Sequence, residues 1–200
     1  MANKMSKKVK IILWISGIVI LLAILATATL MVLARRAVSD YRGDAAGQLN
    51  TVISGKTSDT PVELKSVLFG ETFSSDYKRV KALDEDYKKL LTETKSYVAA
   101  LDVHDTLVEQ YNAGIKGEKP LDSDLLKTVN QYKAVMENRF PDEKDLIKEI
   151  GELSVKITSN TDFDVVSSDI NTVLQDGDKF LTEFREKLNT RISEFQKKVN

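Results

Sequence analysis

Cysteine is absent from the 200-residue chain. Its absence excludes disulfide bonds, thiol nucleophiles and iron–sulfur clusters, and it excludes a lipid attached to a cysteine behind an export signal. Histidine occurs once, as His104. Because metal sites built on imidazole usually need a second histidine or a cysteine, we expect neither a metal site nor a resident cofactor.

A basic surface is also missing. Only four of the 29 basic residues lie in the first 33 positions, so the remaining 167 residues carry 25 basic against 30 acidic side chains. These charges are interleaved along the chain. Nucleic-acid-binding domains need a basic face to pair with phosphates. We therefore expect no nucleic-acid partner and a solvated surface of mixed charge.

One long apolar run lies near the N-terminus. Ile11–Leu33 contains no charged residue, and about 20 apolar residues at 1.5 Å rise cross the roughly 30 Å hydrocarbon core of a bilayer. Trp14 lies near its first end, where an indole suits the headgroup boundary. The run predicts a transmembrane helix over residues 11–33 and a short basic tail over 1–10. Residues 34–200 are expected to form a helical bundle whose first segment begins as a continuation of the membrane helix.

Basic residues flank this run unequally. The lysines that precede it are Lys4, Lys7, Lys8 and Lys10, and three arginines follow it by residue 42. The positive-inside rule therefore predicts a cytoplasmic N-terminus and an extracytoplasmic domain. A cleaved signal peptide is the alternative, but the run exceeds the roughly 7–15 residues of a signal h-region, which favours a retained signal anchor. The cysteine-free, lysine-rich composition is more typical of a bacterial cell envelope than of an animal cell surface.

Behind the anchor, apolar residues recur at helical spacing in four segments, which we call arms. Proline and glycine separate the arms, which cover about residues 34–73, 75–112, 122–159 and 161–198. In the second arm, positions alternate by three and four residues as in a heptad seam. The seam consists of Val80, Leu83, Tyr87, Leu90, Thr94, Tyr97, Leu101, His104, Val108 and Tyr111. Short connections make consecutive helices antiparallel. The sequence predicts an all-α fold with one N-terminal transmembrane helix and an antiparallel up-down bundle of four arms. A three-helix bundle on a stalk is the alternative.

Two positions interrupt this pattern. Phe140-Pro141 breaks the third arm, after which Pro141 suits the first turn of a restarted helix. Gly177 lies inside the fourth arm. It either kinks that helix or lets a neighbouring helix approach closely.

Three candidate site residues fall on the seam of the second arm, namely His104, Tyr97 and Thr94. Asp105 and Glu109 lie near His104 in sequence but fall off the seam, so their spacing does not build a metal or acid–base site around it. The pattern favours His104 as a polar residue that restrains helix register. The alternative is a ligand cavity between helices, lined by Tyr97 and Thr94.

No nucleophile elbow, phosphate-binding loop or zinc-protease motif occurs in the sequence. The sequence therefore favours a non-enzymatic membrane protein that contacts another envelope protein or a second copy of itself. Three alternatives stay open. They are a sensor module with a small ligand between its helices, a coiled-coil scaffold facing the cytoplasm, and an envelope enzyme that uses His104.

Overall fold

The computed structural model describes residues 7–55, 61–117, 123–160 and 162–200. The described residues are predominantly helical, and no strand occurs among them. Their helices are α1 Lys7–Ile53, α2 Gly70–Phe73, α3 Ser75–Ala82, α4 Asp84–Ile115, α5 Ser123–Arg139, α6 Lys144–Ser159 and α7 Phe163–Val199. The predicted all-α fold, with an N-terminal apolar helix and a packed helical bundle, is confirmed.

Helix α1 changes its surroundings after Leu33. Before this point the large apolar side chains that the structure describes are exposed, apart from half-buried Leu30, and the stretch Ser16–Ile53 contains a window long and apolar enough to cross a membrane. After it, one stripe of the same helix is buried at steps of three and four residues, as an amphipathic helix requires. That stripe comprises Ala34, Ala37, Val38, Tyr41, Ala45, Leu49 and Val52. The candidate span and the first bundle helix are therefore one continuous helix.

The residues predicted to border the span lie in or before α1. Trp14 and Leu33 are both exposed, at 76% and 48% of their full surface. The backbones of Lys7, Lys8, Lys10 and Ile11 are helical, and their side chains fall outside the described part of the structure. Lys4 lies outside the described residues. The membrane orientation that these lysines predict stays a prediction.

The first arm turns back on itself. Helix α1 stops where Gly55 takes a left-handed φ of 83° and its N–H bonds to the carbonyl of Val52 at 2.9 Å. Residues 61–67 then run without helix alongside α1. The N–H of Val62 donates to Gln48 Oε1 at 3.1 Å, whereas Lys65 Nζ lies 3.3 Å from Asp40 Oδ2. This segment, which we call the return linker, therefore runs back toward the candidate span.

The third arm is a helical hairpin rather than one interrupted rod. Helices α5 and α6 pack against each other, and the turn between them is closed by a 3.0 Å bond from the N–H of Glu143 to the carbonyl of Phe140. Helix α6 begins at Lys144, so Pro141 lies in the turn and not in the first helical turn. Proline restricts the residue before it to non-helical backbone, and the chain reverses there.

Buried residues form two cores stacked along the bundle. The lower core lies between the outer half of α1, α3, the start of α4 and the end of α7, and it includes Tyr41, Tyr87 and Phe195. The upper core lies between α4, α5, α6 and α7, and it includes Tyr132 and Ile150. Helices α4 and α7 pass through both cores and pack against each other. Around the upper core the bundle therefore consists of four packed helices, two of which are the α5–α6 hairpin.

Candidate functional site

His104 is enclosed by three helices. Its side chain is buried, with 4% of the residue surface exposed, and its Nε2 lies 3.1 Å from the backbone carbonyl oxygen of Leu174 on α7. Its ring meets that of Tyr132 on α5 edge-on, with centroids 5.9 Å apart. The imidazole is therefore a polar link between α4 and α7. Its predicted role in fixing helix register stays a prediction.

Gly177 makes this arrangement sterically feasible. A Cβ atom at Gly177 would lie 2.5 Å from Tyr132 Oη and 2.9 Å from His104 Cδ2, both closer than real Cβ contacts. Helix α7 runs through this position without interruption. Of the two sequence-based interpretations, close approach of a neighbour is the one found.

The hydroxyl of Tyr132 lies in the upper core without a hydrogen bond to the residues described there. Its residue surface is fully buried, and its Oη has no hydrogen-bond partner among the described residues. Burial, and secondly the carboxylate of Asp178, raise the pKa of this phenol well above its ordinary value. The hydroxyl therefore stays neutral, and its unmet hydrogen bonds count against the stability of the bundle.

Thr94 and Tyr97 each have separate partners. The hydroxyl of Thr94 donates to the carbonyl of Leu90 at 2.7 Å. The ring of Tyr97 stacks on Phe184 at 6.3 Å and 14°, and burial raises the pKa of its hydroxyl. Thr94 and His104 are ten residues apart, about 15 Å along one helix. The structure therefore does not bring the three sequence candidates together in one site.

A different surface, missed by the sequence analysis, gathers acidic side chains. A groove of about 420 Å³ lies between α6 and α7, with Phe180 and Phe184 in its lining. Phe140 meets each of these rings edge-on at 5.0 Å. We call this surface the acidic groove, and its charged residues are Glu143, Asp145, Glu149, Asp176, Lys179, Glu183 and Lys187.

Two carboxyl groups meet in the acidic groove. Burial, and secondly the charge of Asp176, raise the pKa of Glu149. Glu149 Oε2 is buried and has no hydrogen-bond partner among the described residues, so Glu149 beside Asp176 binds its proton more tightly than an isolated carboxyl does. Such a pair favours the approach of a cationic group, which would replace the proton. The sequence offers one signal, because Asp145 and Glu149 place like charges four residues apart on one helix face.

The Glu149–Asp176 pair should make the free energy of unfolding depend on pH. Because the folded pKa of Glu149 lies above its ordinary value of 4.5, the folded state binds this proton more tightly than the unfolded state does. The stabilisation from this bound proton is therefore complete below pH 4.5. It is lost as the pH rises through the pKa of Glu149 in the folded state. We expect Glu149→Gln to raise the free energy of unfolding by about 0.5 kcal/mol near pH 7 and to give no gain in acid.

Urea unfolding of the detergent-solubilised protein at neutral and acidic pH measures this difference. Glu137→Gln is the matched control, because Glu137 lies on α5 outside the acidic groove and its Oε1 is 3.5 Å from Lys133 Nζ, so its removal should bring no gain at neutral pH. Equal gains for both variants, or a gain from Glu149→Gln that does not vary with pH, would contradict the carboxyl pair.

Comparison with known proteins adds no further constraint on the chain. No protein-family model, curated protein or solved structure matches it. Among the described residues, no group of three or more histidine, aspartate or glutamate side chains is arranged to hold a metal ion. The class is therefore set by the fold alone: an all-helical protein with one N-terminal helix long and apolar enough to span a membrane.

Proposed function

We propose that the protein is a single-pass membrane protein of the cell envelope that works without catalysis, by contacting other proteins through its extracytoplasmic bundle. The observation that carries this proposal is the continuity of α1. The helix passes from exposed apolar residues to buried ones between Leu33 and Ala34 with no break in its backbone. A bundle joined to its anchor in this way is held at a fixed height above the bilayer.

The acidic groove supports protein contact as the activity. It combines five carboxylates and two lysines with phenylalanine rings. Lysine and arginine pair their charged ends with carboxylates and lay their aliphatic stems on apolar surface. The groove therefore suits a basic helix or loop of a partner protein.

The packing around the seam residues gives less support to a ligand held between the helices. Tyr97 stacks on Phe184, and His104 is bonded to the backbone of α7. The hydroxyl of Thr94 is bonded within its own helix. The Thr94 hydroxyl and the His104 imidazole are thus bonded within the protein, and the Tyr97 ring is packed against α7, which favours a structural role for all three.

Alkaline carbonate extraction tests the anchor. We expect the wild-type protein to stay with the membrane and the double variant Leu21→Arg/Leu25→Arg to be released, because each arginine near the middle of a span costs about 2.5–3.5 kcal/mol. Val155→Arg/Val165→Arg is the matched control, since both valines are exposed bundle residues. Release of the wild type, or retention of the double span variant, would contradict the anchor.

Protease added to intact cells separates the proposed orientation from a cytoplasmic scaffold, because only an external bundle is digested.

In-cell photo-crosslinking from the acidic groove tests protein contact. A crosslinker at Lys187 should capture a defined partner, and the charge reversal Glu183→Lys should abolish that capture. The matched reversal Glu109→Lys lies on α4, outside the groove residues, and should leave capture intact. Capture that survives Glu183→Lys, or that is lost equally in both variants, would count against the groove as the contact surface.

A further inference from the structure

The return linker ends in an exposed apolar turn. The N–H of Gly70 donates to the carbonyl of Val67 at 2.9 Å, which closes a four-residue turn with Leu68 and Phe69 at its two central positions. These side chains are 69% and 61% exposed. Phe69 has a left-handed backbone, with φ 55° and ψ 22°, at a turn position where glycine or asparagine is usual. An exposed phenylalanine with this backbone is unexpected for a turn that faces only water.

The contacts of the return linker locate this turn at the end of the candidate span. Val62 bonds to Gln48 and Lys65 contacts Asp40, so three linker residues descend past eight residues of α1, a distance of about 12 Å. Extended chain covers about 3.3 Å per residue. The two further residues to Val67, where the turn begins, therefore descend about another 7 Å, or roughly four helical residues, which brings the turn to the level of Arg36, just beyond Leu33.

The packing below the linker agrees with this level. Helix α2, which begins directly after Phe69, packs against α1. Ala34 and Ala37, the first small residues beyond the apolar run, are 0% and 3% exposed, so other parts of the chain cover them. The lower core therefore extends down to the point where α1 would leave the bilayer.

The turn is held in place rather than loose. The hydroxyl of Tyr77 accepts a bond from the N–H of Val67 at 3.1 Å and donates one to the carbonyl of Lys65 at 3.0 Å. Gly70 lies so close to the same ring that a Cβ there would be 2.9 Å from it. Phe73 meets Phe69 edge-on at 6.4 Å. These contacts present Leu68 and Phe69 outward in a fixed geometry.

We propose that the Leu68–Phe69 turn inserts into the interfacial layer of the same bilayer that α1 spans, as a second membrane contact of the bundle. This inference rests on the proposed span. Aromatic side chains favour the headgroup level of membranes, and apolar side chains gain by leaving water there. Exposed basic residues surround this end of the bundle and would pair with anionic headgroups. They include Arg35, Arg36 and Lys78, whereas Lys65 contacts Asp40.

Tryptophan fluorescence of the full chain in vesicles tests the insertion. Trp14 is the chain's one tryptophan, so Trp14→Phe/Phe69→Trp carries a single reporter at the turn. We use vesicles of phosphatidylcholine and phosphatidylglycerol with acyl chains brominated either near the headgroup or near the chain end. The reporter at position 69 should lose emission to a degree comparable to Trp14 in the wild type, and the loss should be larger with bromine near the headgroup.

Trp14→Phe/Ile115→Trp is the matched control. Ile115 is exposed to a similar extent, 59%, but ends α4 at the far end of the upper core, so its reporter should not be quenched. Quenching of Trp14 without quenching at position 69 would overturn the insertion and leave the span standing. Absence of quenching at both positions would overturn the span and the insertion together. A position-69 signal that depends on protein density but not on bromine would show a second copy covering the turn, which also overturns the proposal. Trp14→Phe/Leu68→Trp repeats the measurement if the first variant fails to fold.

Discussion

Replacing Tyr87 with alanine is expected to lower the free energy of unfolding by about 4 kcal/mol, within the range for aromatic-to-alanine changes in cores. Tyr87 is fully buried at the centre of the lower core. Its ring lies 5.8 Å from that of Tyr41 on α1 and 5.9 Å from that of Phe195 on α7. Alanine would leave a cavity between three helices, and the neighbouring backbones cannot close it without separating from one another.

The hydroxyl of Tyr87 is expected to contribute a smaller part of this effect. It bonds to Gln48 and accepts from the N–H of Val62 at 3.1 Å. Tyr87→Phe keeps the ring contacts, and the Val62 N–H retains its bond to Gln48 Oε1. We therefore expect this variant to lose about 1 kcal/mol, the net worth of an ordinary hydrogen bond.

Thermal or urea unfolding in detergent measures both Tyr87 variants. Ile115→Ala serves as the control, because this residue is exposed and its truncation should change stability by less than about 0.5 kcal/mol. Hydrogen exchange adds a spatial readout, since amides of α1 and α3 should lose more protection than those of the α5–α6 hairpin, which belongs to the upper core. Equal losses for alanine and phenylalanine would show that ring packing is not what holds the lower core together.

The second arm shows how far periodicity alone reaches. A strict alternation of three and four residues correctly identified Tyr87, Thr94, Tyr97 and His104 as buried. Farther along α4 it selected Leu101 and Val108, whereas the fully buried positions are Ala100 and Leu107. A straight α-helix has 3.6 residues per turn, so its buried face drifts by about 20° in each heptad. The drift matters here because α4 has α7 and α5 as neighbours on two sides, and each covers a different stripe.

Local signals located the elements but not the contacts between them. The apolar run and the stripe that follows it were sufficient to predict α1, since both depend on residues adjacent in one helix. Phe140-Pro141 marked an interruption, yet the same dipeptide is compatible with a kink or a reversal, and the packing of α5 on α6 decides for reversal. The Glu149–Asp176 pair joins two helices at 27 residues' separation. No short-range pattern determines which faces of two helices meet.

Gly177→Ala is expected to destabilise the protein by about 1–2 kcal/mol, although alanine favours helix over glycine by about 1 kcal/mol. The added methyl would overlap Tyr132 Oη at 2.5 Å and His104 Cδ2 at 2.9 Å. Both side chains are buried, with at most 4% exposed, so neither can yield without moving α4 or α5. Overpacking of this kind costs about 1–3 kcal/mol, more than the gain in helix propensity.

Gly151→Ala provides the matched control in α6. A Cβ there would meet only the flexible end of Lys133, with Cε at 3.4 Å. The propensity term then acts alone, and we expect stabilisation of about 0.5–1 kcal/mol. The two glycine-to-alanine changes should therefore have opposite signs in the same unfolding measurement. Stabilisation by both would show that the α7 contact is loose enough to absorb a methyl group.

Tyr132→Phe separates the steric cause from other effects of Gly177→Ala. It removes the atom that overlaps most, and because that hydroxyl has no partner among the described residues, its loss alone should be neutral or stabilising by up to about 1 kcal/mol. In the Tyr132→Phe background, Gly177→Ala should cost at least about 0.5 kcal/mol less than in the wild type. Additive effects in this double-mutant cycle would mean that the phenol does not determine how closely α7 approaches, and that the need for glycine comes from His104 instead.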